Sequence, residues 1–173
     1  MILLNKPSEL SYEIFMDVFQ GIYEHSTWVA EATWRAISTV EDRSVFDDVE
    51  YLSRTMQKIV DDSSKESKLA LLNAHPDLAG KAALAGALTA DSTNEQAGAG
   101  LDTCTENELA LFHKLNSAYK EKNGFPFIMA VKGASKYAIL DGFAKRIEND
   151  TETEFLHAVG EVHKIAFFRL QEK

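Results

Sequence analysis

The chain has 173 residues and a net charge of -9, and its composition is 45% hydrophobic and 26% charged. This length fits one domain with a real core, so we expect residues 1–173 to form a single domain. A surface this acidic repels phosphate backbones and anionic lipids, which disfavours nucleic acid and membranes as partners. The single cysteine, Cys104, excludes an intramolecular disulfide, and the apolar run at residues 2–4 is too short for a signal peptide. We therefore expect a cytoplasmic protein.

Helical spacing of apolar residues runs through the first part of the chain, as at Ile14, Phe15, Val18 and Phe19. It predicts helices at about 14–19, 28–37, 45–60 and 65–72, with Pro7 and Ser8 near the first start. Residues 73–102 are rich in Ala, Gly and Thr, and we interpret them as short helices and turns. Within this stretch the apolar residues between 78 and 84 predict one more helical face.

Regular helix returns after residue 104. Thr105 with Glu108 forms the pattern of a capping box, and Gly124 is a stop signal. Residues 125–131 are apolar and lack a partner strand, so we expect an extended segment packed on helices. Residues 134–147 are predicted helical, and Thr151 with Glu154 predicts a second capping box before the last helix. The prediction is an all-α, single-domain bundle of about eight helices with short connecting helices.

His75 is the first candidate for chemistry. It follows a predicted helix end, and Pro76 biases it away from helical backbone angles. A histidine there can exchange protons at working pH. The alternative is a structural histidine that caps the preceding helix.

A second candidate is the polar run Ser92, Thr93, Asn94, Glu95 and Gln96. Ser92 with Glu95 fits a capping box, which is the structural alternative. The functional interpretation is a polar cradle for a small, oxygen-rich ligand at a helix start. A carboxylate near His75 would also fix its tautomer.

Arg169 lies among apolar neighbours of the last helix. The functional interpretation is a clamp for a substrate carboxylate. The structural alternatives are a snorkelling arginine at a helix end and a partner of Glu161. On the same helix His157, Glu161 and His163 lack the H-E-x-x-H pattern of a zinc site, so we expect a solvated face and no metal. No glycine-rich nucleotide loop is present, and nucleotide cofactors have no support.

Several motifs together resemble the 2-oxo-4-hydroxy-4-carboxy-5-ureidoimidazoline (OHCU) decarboxylases. They are LNAHPDLAGK at 72–81, STNEQ at 92–96 with AGL at 99–101, FHKLN at 112–116 with Tyr119, GFPFI at 124–128, YEHS at 23–26 with WVA at 28–30, and EVHKIA at 161–166 with Arg169 and Leu170. Each motif is modest, but they occur in the expected order over nearly the whole chain.

The resemblance implies an all-α homodimer without metal or organic cofactor that converts OHCU to (S)-allantoin and CO2. It implies that His75 is the catalytic histidine and that Glu95 works with it. The substrate-binding positions would be Pro76, the run 92–96, Arg169 for the substrate carboxylate, and the segment formed by Phe127, Ile128, Met129, Ala130 and Val131.

Two other functions stay open at this point. A ureide-processing hydrolase of purine breakdown would release ammonia or urea rather than CO2. A non-catalytic helical binding module would leave the chirality of allantoin unchanged.

Overall fold

The computed structural model describes residues 1–80 and 86–173, and in that part every regular element is helical. The α-helices are α1 (Tyr12–Phe19), α2 (Thr27–Ser38), α3 (Val49–Asp61), α4 (Lys65–Asn73), α5 (Ala90–Gly98), α6 (Glu106–Asn123), α7 (Lys136–Arg146) and α8 (Thr151–Leu170). Short 3-10 helices span Pro7–Glu9, Arg43–Asp47 and Leu101–Thr103. The predicted all-α class is confirmed. The apolar face predicted around 78–84 falls largely on 81–85, which lie outside the described residues.

The described residues fall into two compact units. The first comprises Met1–Ala74 and His163–Lys173, and the second comprises His75–Val162. Helix α8 contributes its first part to the second unit and its last part to the first. The site residues predicted from the sequence belong to the second unit, except Arg169.

The first unit is built on helices whose apolar stripes face one another. Helix α2 packs against α1 and α3, and Phe15 lies 5.2 Å from the Trp34 ring, measured between centroids. Phe15 and Phe19 are buried as predicted, whereas Ile14 of the same stripe is exposed. None of the helices in the described residues is both long and apolar enough to cross a membrane.

The second unit has an aromatic core. Phe127 stacks on Phe143 at 3.8 Å between ring centroids, and Tyr119 meets both rings edge-on. The predicted end of α6 is confirmed, because Gly124 caps it with φ +81°, a conformation that favours glycine. Residues 126–131 form neither helix nor strand, and Phe127 stacks on Phe143 of α7, so the predicted packing of this segment on helices is confirmed.

Two helix starts lie several residues from their predicted positions. The helix expected from residue 45 begins at Val49, because the Asp48 carboxylate accepts hydrogen bonds from the main-chain N–H groups of Glu50 and Tyr51. Helix α1 begins at Tyr12 rather than at Pro7, which opens a separate 3-10 turn. The capping box at Thr105 and Glu108 is confirmed.

The capping box predicted at Thr151 and Glu154 is wrong. Asp150 precedes the helix, and its Oδ1 accepts a 2.9 Å hydrogen bond from the Thr153 N–H. Glu154 is instead fully buried and bonds side chains of the second unit. Sequence spacing identifies the helix start to within one residue but assigns the cap to the wrong side chain.

Candidate active site

The turn that carries His75 follows directly after α4. His75 is buried, and the main chain then folds back so that the Gly80 N–H donates to the Asp77 carbonyl at 3.2 Å. Ala79 has φ +50°, a strained value for a residue with a side chain. A Cβ on Gly80 would lie 2.6 Å from the Cβ of Asp77, so only glycine fits. The turn therefore has one tight, sequence-specific shape.

Two buried amide side chains hold this turn from neighbouring helices. Asn116 of α6 donates from Nδ2 to the Leu78 carbonyl at 2.9 Å. The Oε1 of Gln96, on α5, accepts from the Ala79 N–H at 3.0 Å. Gln96 is predicted to bind substrate, which stays a prediction, and its carbonyl end fixes the turn that follows His75. Its Nε2 is the end with donors to offer a ligand.

The polar run 92–96 lies inside α5 rather than at its start. Thr89 is the N-cap, and its hydroxyl accepts from the Ser92 N–H at 3.2 Å, so the capping box predicted at Ser92 and Glu95 is wrong. Ser92 and Gln96 are buried and Glu95 is half-buried, while the side chains on the remaining positions are exposed, namely Thr93 and Asn94. Helical spacing puts Ser92, Glu95 and Gln96 on one face.

The segment 127–131 is held by the side chains of Arg146 and Glu161. The Nη1 of Arg146 donates to the Ile128 carbonyl at 2.6 Å, and its guanidinium lies 4.5 Å from the centroid of the Phe127 ring. Glu161 Oε2 accepts from the Ala130 N–H at 2.8 Å. Hydrogen bonds to ionised groups are shorter and stronger than neutral ones. The main chain of this segment is therefore fixed from the side of α7 and α8.

Arg146 itself is fixed by a buried network. Its Nε and Nη2 approach Glu154 Oε2 at 3.0 and 2.9 Å, and Asn149 and Tyr119 also donate to the Glu154 carboxylate. Burial alone would raise the pKa of Glu154, but the hydrogen bonds from Arg146, Tyr119 and Asn149 outweigh it and hold that pKa below its ordinary value. Burial, with the bond to Glu154, raises the pKa of Tyr119. Glu154 is therefore a carboxylate at neutral pH beside the Arg146 guanidinium.

Arg169 is buried in the first unit. Its Nη2 lies 3.0 Å from Glu24 Oε2, and its Nη1 donates to the Gly21 carbonyl at 3.3 Å. The snorkelling alternative is wrong because the side chain is only 4% exposed. A role toward a substrate carboxylate stays a prediction, and Glu24 and the Gly21 carbonyl help to orient the guanidinium.

A cavity of about 320 Å³ lies beside α5. Its lining includes Ala79 of the turn after His75, and Thr93 and Gln96 of the polar run. Cys104 also lines it. Burial raises the pKa of the Cys104 thiol, so the thiol is protonated at neutral pH and is a weak nucleophile.

The histidines of α8 do not gather into a metal site. Among residues 1–80 and 86–173, no group of three or more His, Cys, Asp or Glu side chains is placed to hold a metal ion. His163 lies 2.8 Å from the Tyr23 hydroxyl through Nδ1 and 3.2 Å from Asp61 through Nε2. The solvated face expected on α8 is confirmed at the exposed His157 but is wrong at Glu161, which is buried against Ala130.

Sequence reasoning missed several side chains that hold the site. Asn116, Tyr119, Arg146, Glu154 and Glu161 are all buried and polar. One signal was available: Asn116 lies four residues after Phe112 and three before Tyr119, so a polar residue occupies an apolar stripe. Such a residue needs a buried hydrogen-bond partner.

Comparison with known proteins gives a consistent result. The family model described as OHCU decarboxylase matches residues 8–171. The 2-oxo-4-hydroxy-4-carboxy-5-ureidoimidazoline decarboxylase of Haloferax volcanii is 40% identical over 172 residues, covering 99% of this chain and 96% of the relative.

Two solved structures are also similar. A crystal structure of (S)-allantoin synthase matches with a TM-score of 0.74 at 33% identity, covering 99% of this chain and 54% of that one, so this chain spans about half its length. A crystal structure of OHCU decarboxylase in the presence of (S)-allantoin matches with a TM-score of 0.67 at 22% identity, over 88% and 94% of the two chains, and shows likeness of fold alone. From the family match over nearly the whole sequence, the chain belongs to the OHCU decarboxylase family.

Proposed function

We propose that this chain decarboxylates OHCU to (S)-allantoin and CO2, with His75 as general acid–base and Glu95 assisting it. The observation that carries the proposal is the family match over 8–171, which includes the turn around His75. The buried His75 and the rigid turn that follows it support a catalytic rather than an incidental histidine. A catalytic group must be held in a fixed orientation.

Decarboxylation of OHCU requires mainly proton transfer from the enzyme. OHCU carries a hydroxyl and a carboxylate on one ring carbon, next to a ring C=N bond. When the carbon–carboxylate bond breaks, its electron pair flows into that C=N bond, so the substrate supplies its own electron sink. His75 handles the proton of the ring hydroxyl and the protonation of the product. General acid–base help of this kind is worth roughly 10²–10⁴-fold.

The binding groups follow the same assignment. The buried face of α5 offers Ser92, Glu95 and Gln96 to the ring and ureido groups, with Thr93 and Asn94 completing the run. Pro76 bounds the site beside His75, and the main chain of 127–131 supplies peptide groups. Arg169 keeps its predicted role as the partner of the substrate carboxylate.

The biological unit is also part of the proposal. We propose that residues 1–173 form one decarboxylase domain that acts as a homodimer in the cytoplasm, without metal or organic cofactor. The family match supports the single domain. Sedimentation equilibrium tests the dimer, and a single species with the mass of one chain at micromolar concentration would contradict it.

Product analysis separates the proposed reaction from the two alternatives. OHCU is generated in situ from urate by urate oxidase and hydroxyisourate hydrolase, and the released gas and solutes are assayed with and without the chain. A decarboxylase accelerates CO2 release. A burst of ammonia or urea would instead indicate the ureide hydrolase, and unchanged rates of all products would indicate the binding module.

The role of His75 is tested by His75→Asn, which keeps a polar side chain of similar size but cannot act as a base. We expect a native far-UV circular dichroism spectrum, retained binding of (S)-allantoin, and a fall in kcat of roughly 10²–10⁴-fold. The buried Ser92→Ala is the matched control, with an expected rise in KM larger than its fall in kcat. Wild-type turnover by His75→Asn would remove the histidine from the mechanism.

A further inference from the structure

We infer that Glu161 is a positioning residue for this reaction: its carboxylate fixes the main chain of 127–131 so that the peptide groups of Met129 and Val131 face the substrate. The inference rests on the proposed function, because that function makes the segment part of the substrate site. Glu161 does not itself touch the reacting atoms in this account.

The contact that carries the inference is a charge-assisted hydrogen bond. Glu161 is buried on α8, and its Oε2 accepts from the Ala130 N–H at 2.8 Å. A buried carboxylate is costly unless its oxygens are satisfied, so a main-chain donor held by it is held firmly.

A second contact fixes the same segment two residues earlier. The Ile128 carbonyl accepts from Arg146 at 2.6 Å, and Arg146 is locked by Glu154. Glu154 and Glu161 are seven residues apart, which puts both on the same face of α8. Ile128 and Ala130 therefore direct their fixed peptide groups toward the same part of the unit.

The Ile128 carbonyl and the Ala130 N–H, two residues apart, both meet side chains from α7 and α8, which matches the alternation of an extended chain. Residues two apart direct their N–H and C=O groups to one side, and the residues between them use the other side. By that alternation we infer that the groups of Met129 and the N–H of Val131 point away from α8. The Val131 carbonyl is already an acceptor for the Ala134 N–H at 2.9 Å.

This arrangement selects a class of ligand chemistry. Met129 presents a donor and an acceptor side by side, and Val131 adds a second donor. A cyclic urea or a ureido group has an N–H beside a C=O and pairs with such an edge by two parallel hydrogen bonds. Glu161 thus acts on specificity for ureides by fixing the rotation of the segment rather than by binding the substrate.

The test compares three substitutions. Glu161→Met removes the acceptor at similar size, Glu161→Gln keeps an acceptor oxygen in its amide, and Glu152→Met makes the same change at an exposed position of the same helix. Steady-state turnover of OHCU generated in situ is measured for each, together with the amide-proton shift and hydrogen exchange of Ala130 by NMR. Where Glu161→Met loses helical circular dichroism, Glu161→Asp replaces it, since its carboxylate is retracted by roughly 1.5 Å.

We expect Glu161→Met to raise KM about 10- to 100-fold with a smaller change in kcat, the size of one charge-assisted hydrogen bond, and to expose the Ala130 amide to exchange. Glu161→Gln should restore KM to within a few-fold of wild type, and Glu152→Met should match wild type. An unchanged KM in Glu161→Met, or no rescue by glutamine, would overturn the positioning role while leaving the proposed function intact. A wild-type chain without decarboxylase activity would instead remove the proposed function, and the positioning role with it.

Discussion

Removal of the Glu154 carboxylate should be among the most destabilising single changes in the second unit. Its side chain is 0% exposed and accepts from Arg146, Tyr119 and Asn149. In Glu154→Leu the Arg146 guanidinium, itself only 9% exposed, loses its counterion while it stays buried. Breaking one partner of a buried pair costs about 3–5 kcal/mol. For a chain of this length that corresponds to a fall in Tm of roughly 6–20 °C.

The assay is urea unfolding at neutral pH followed by far-UV circular dichroism. The exposed pair of Lys145 with Asp141 on α7 is the matched control, with N···O at 2.6 Å and side chains 74% and 61% exposed. Asp141→Leu should cost about 0.5 kcal/mol or less, because solvent screens that pair. Replacing Arg146 by leucine together with Glu154 should recover part of the loss. A Glu154→Leu cost no larger than that of Asp141→Leu would refute the reasoning.

Two further predictions concern acid stability and glycine. Burial alone would raise the pKa of Glu154, but hydrogen bonds outweigh it and lower that pKa. The pKa of Glu108 is lowered to about 2, chiefly by a hydrogen bond from Lys136. Lowered folded-state pKa values stabilise the fold above the unfolded value near ~4.3, and this stability is lost as pH falls toward about 2. Lys136→Met should weaken that dependence in urea melts between about pH 5 and pH 2, and an identical acid profile would contradict it. Gly160→Ala should raise the free energy of unfolding by about 1 kcal/mol, because no described atom crowds its Cβ position within 4 Å, whereas Gly124→Ala, at φ +81°, should lower it by roughly 1–2 kcal/mol. Shifts of the same sign in the two variants would refute the glycine argument.

Much of the fold could be predicted because helix formation is local. The spacing of Phe15 and Phe19, the capping box at Thr105 and Glu108, and the stop at Gly124 depend only on residues a few positions apart. These features were predicted at or near their observed positions. The same local logic failed at Ser92 and at Thr151, where more than one residue could serve as the cap.

The site is harder to predict because its partners are distant in sequence. Glu161 meets Ala130 across 31 positions, and Asn116 meets Leu78 across 38. Hydrophobic periodicity predicts which face of a helix is buried, but it does not identify the main-chain group that the face contacts. Gln96 was assigned to the substrate, and only the fold reveals that its carbonyl holds the Ala79 N–H.

The most direct test of the central claim is the optical signal of allantoin formed from urate by urate oxidase and hydroxyisourate hydrolase, measured by circular dichroism. With this chain present, we expect rapid formation of the (S)-enantiomer, and with His75→Ala we expect a return to the slow racemic background. Rapid (S)-allantoin formation by His75→Ala would contradict the assignment of His75. Slow racemic product with the wild-type chain would contradict the decarboxylase itself.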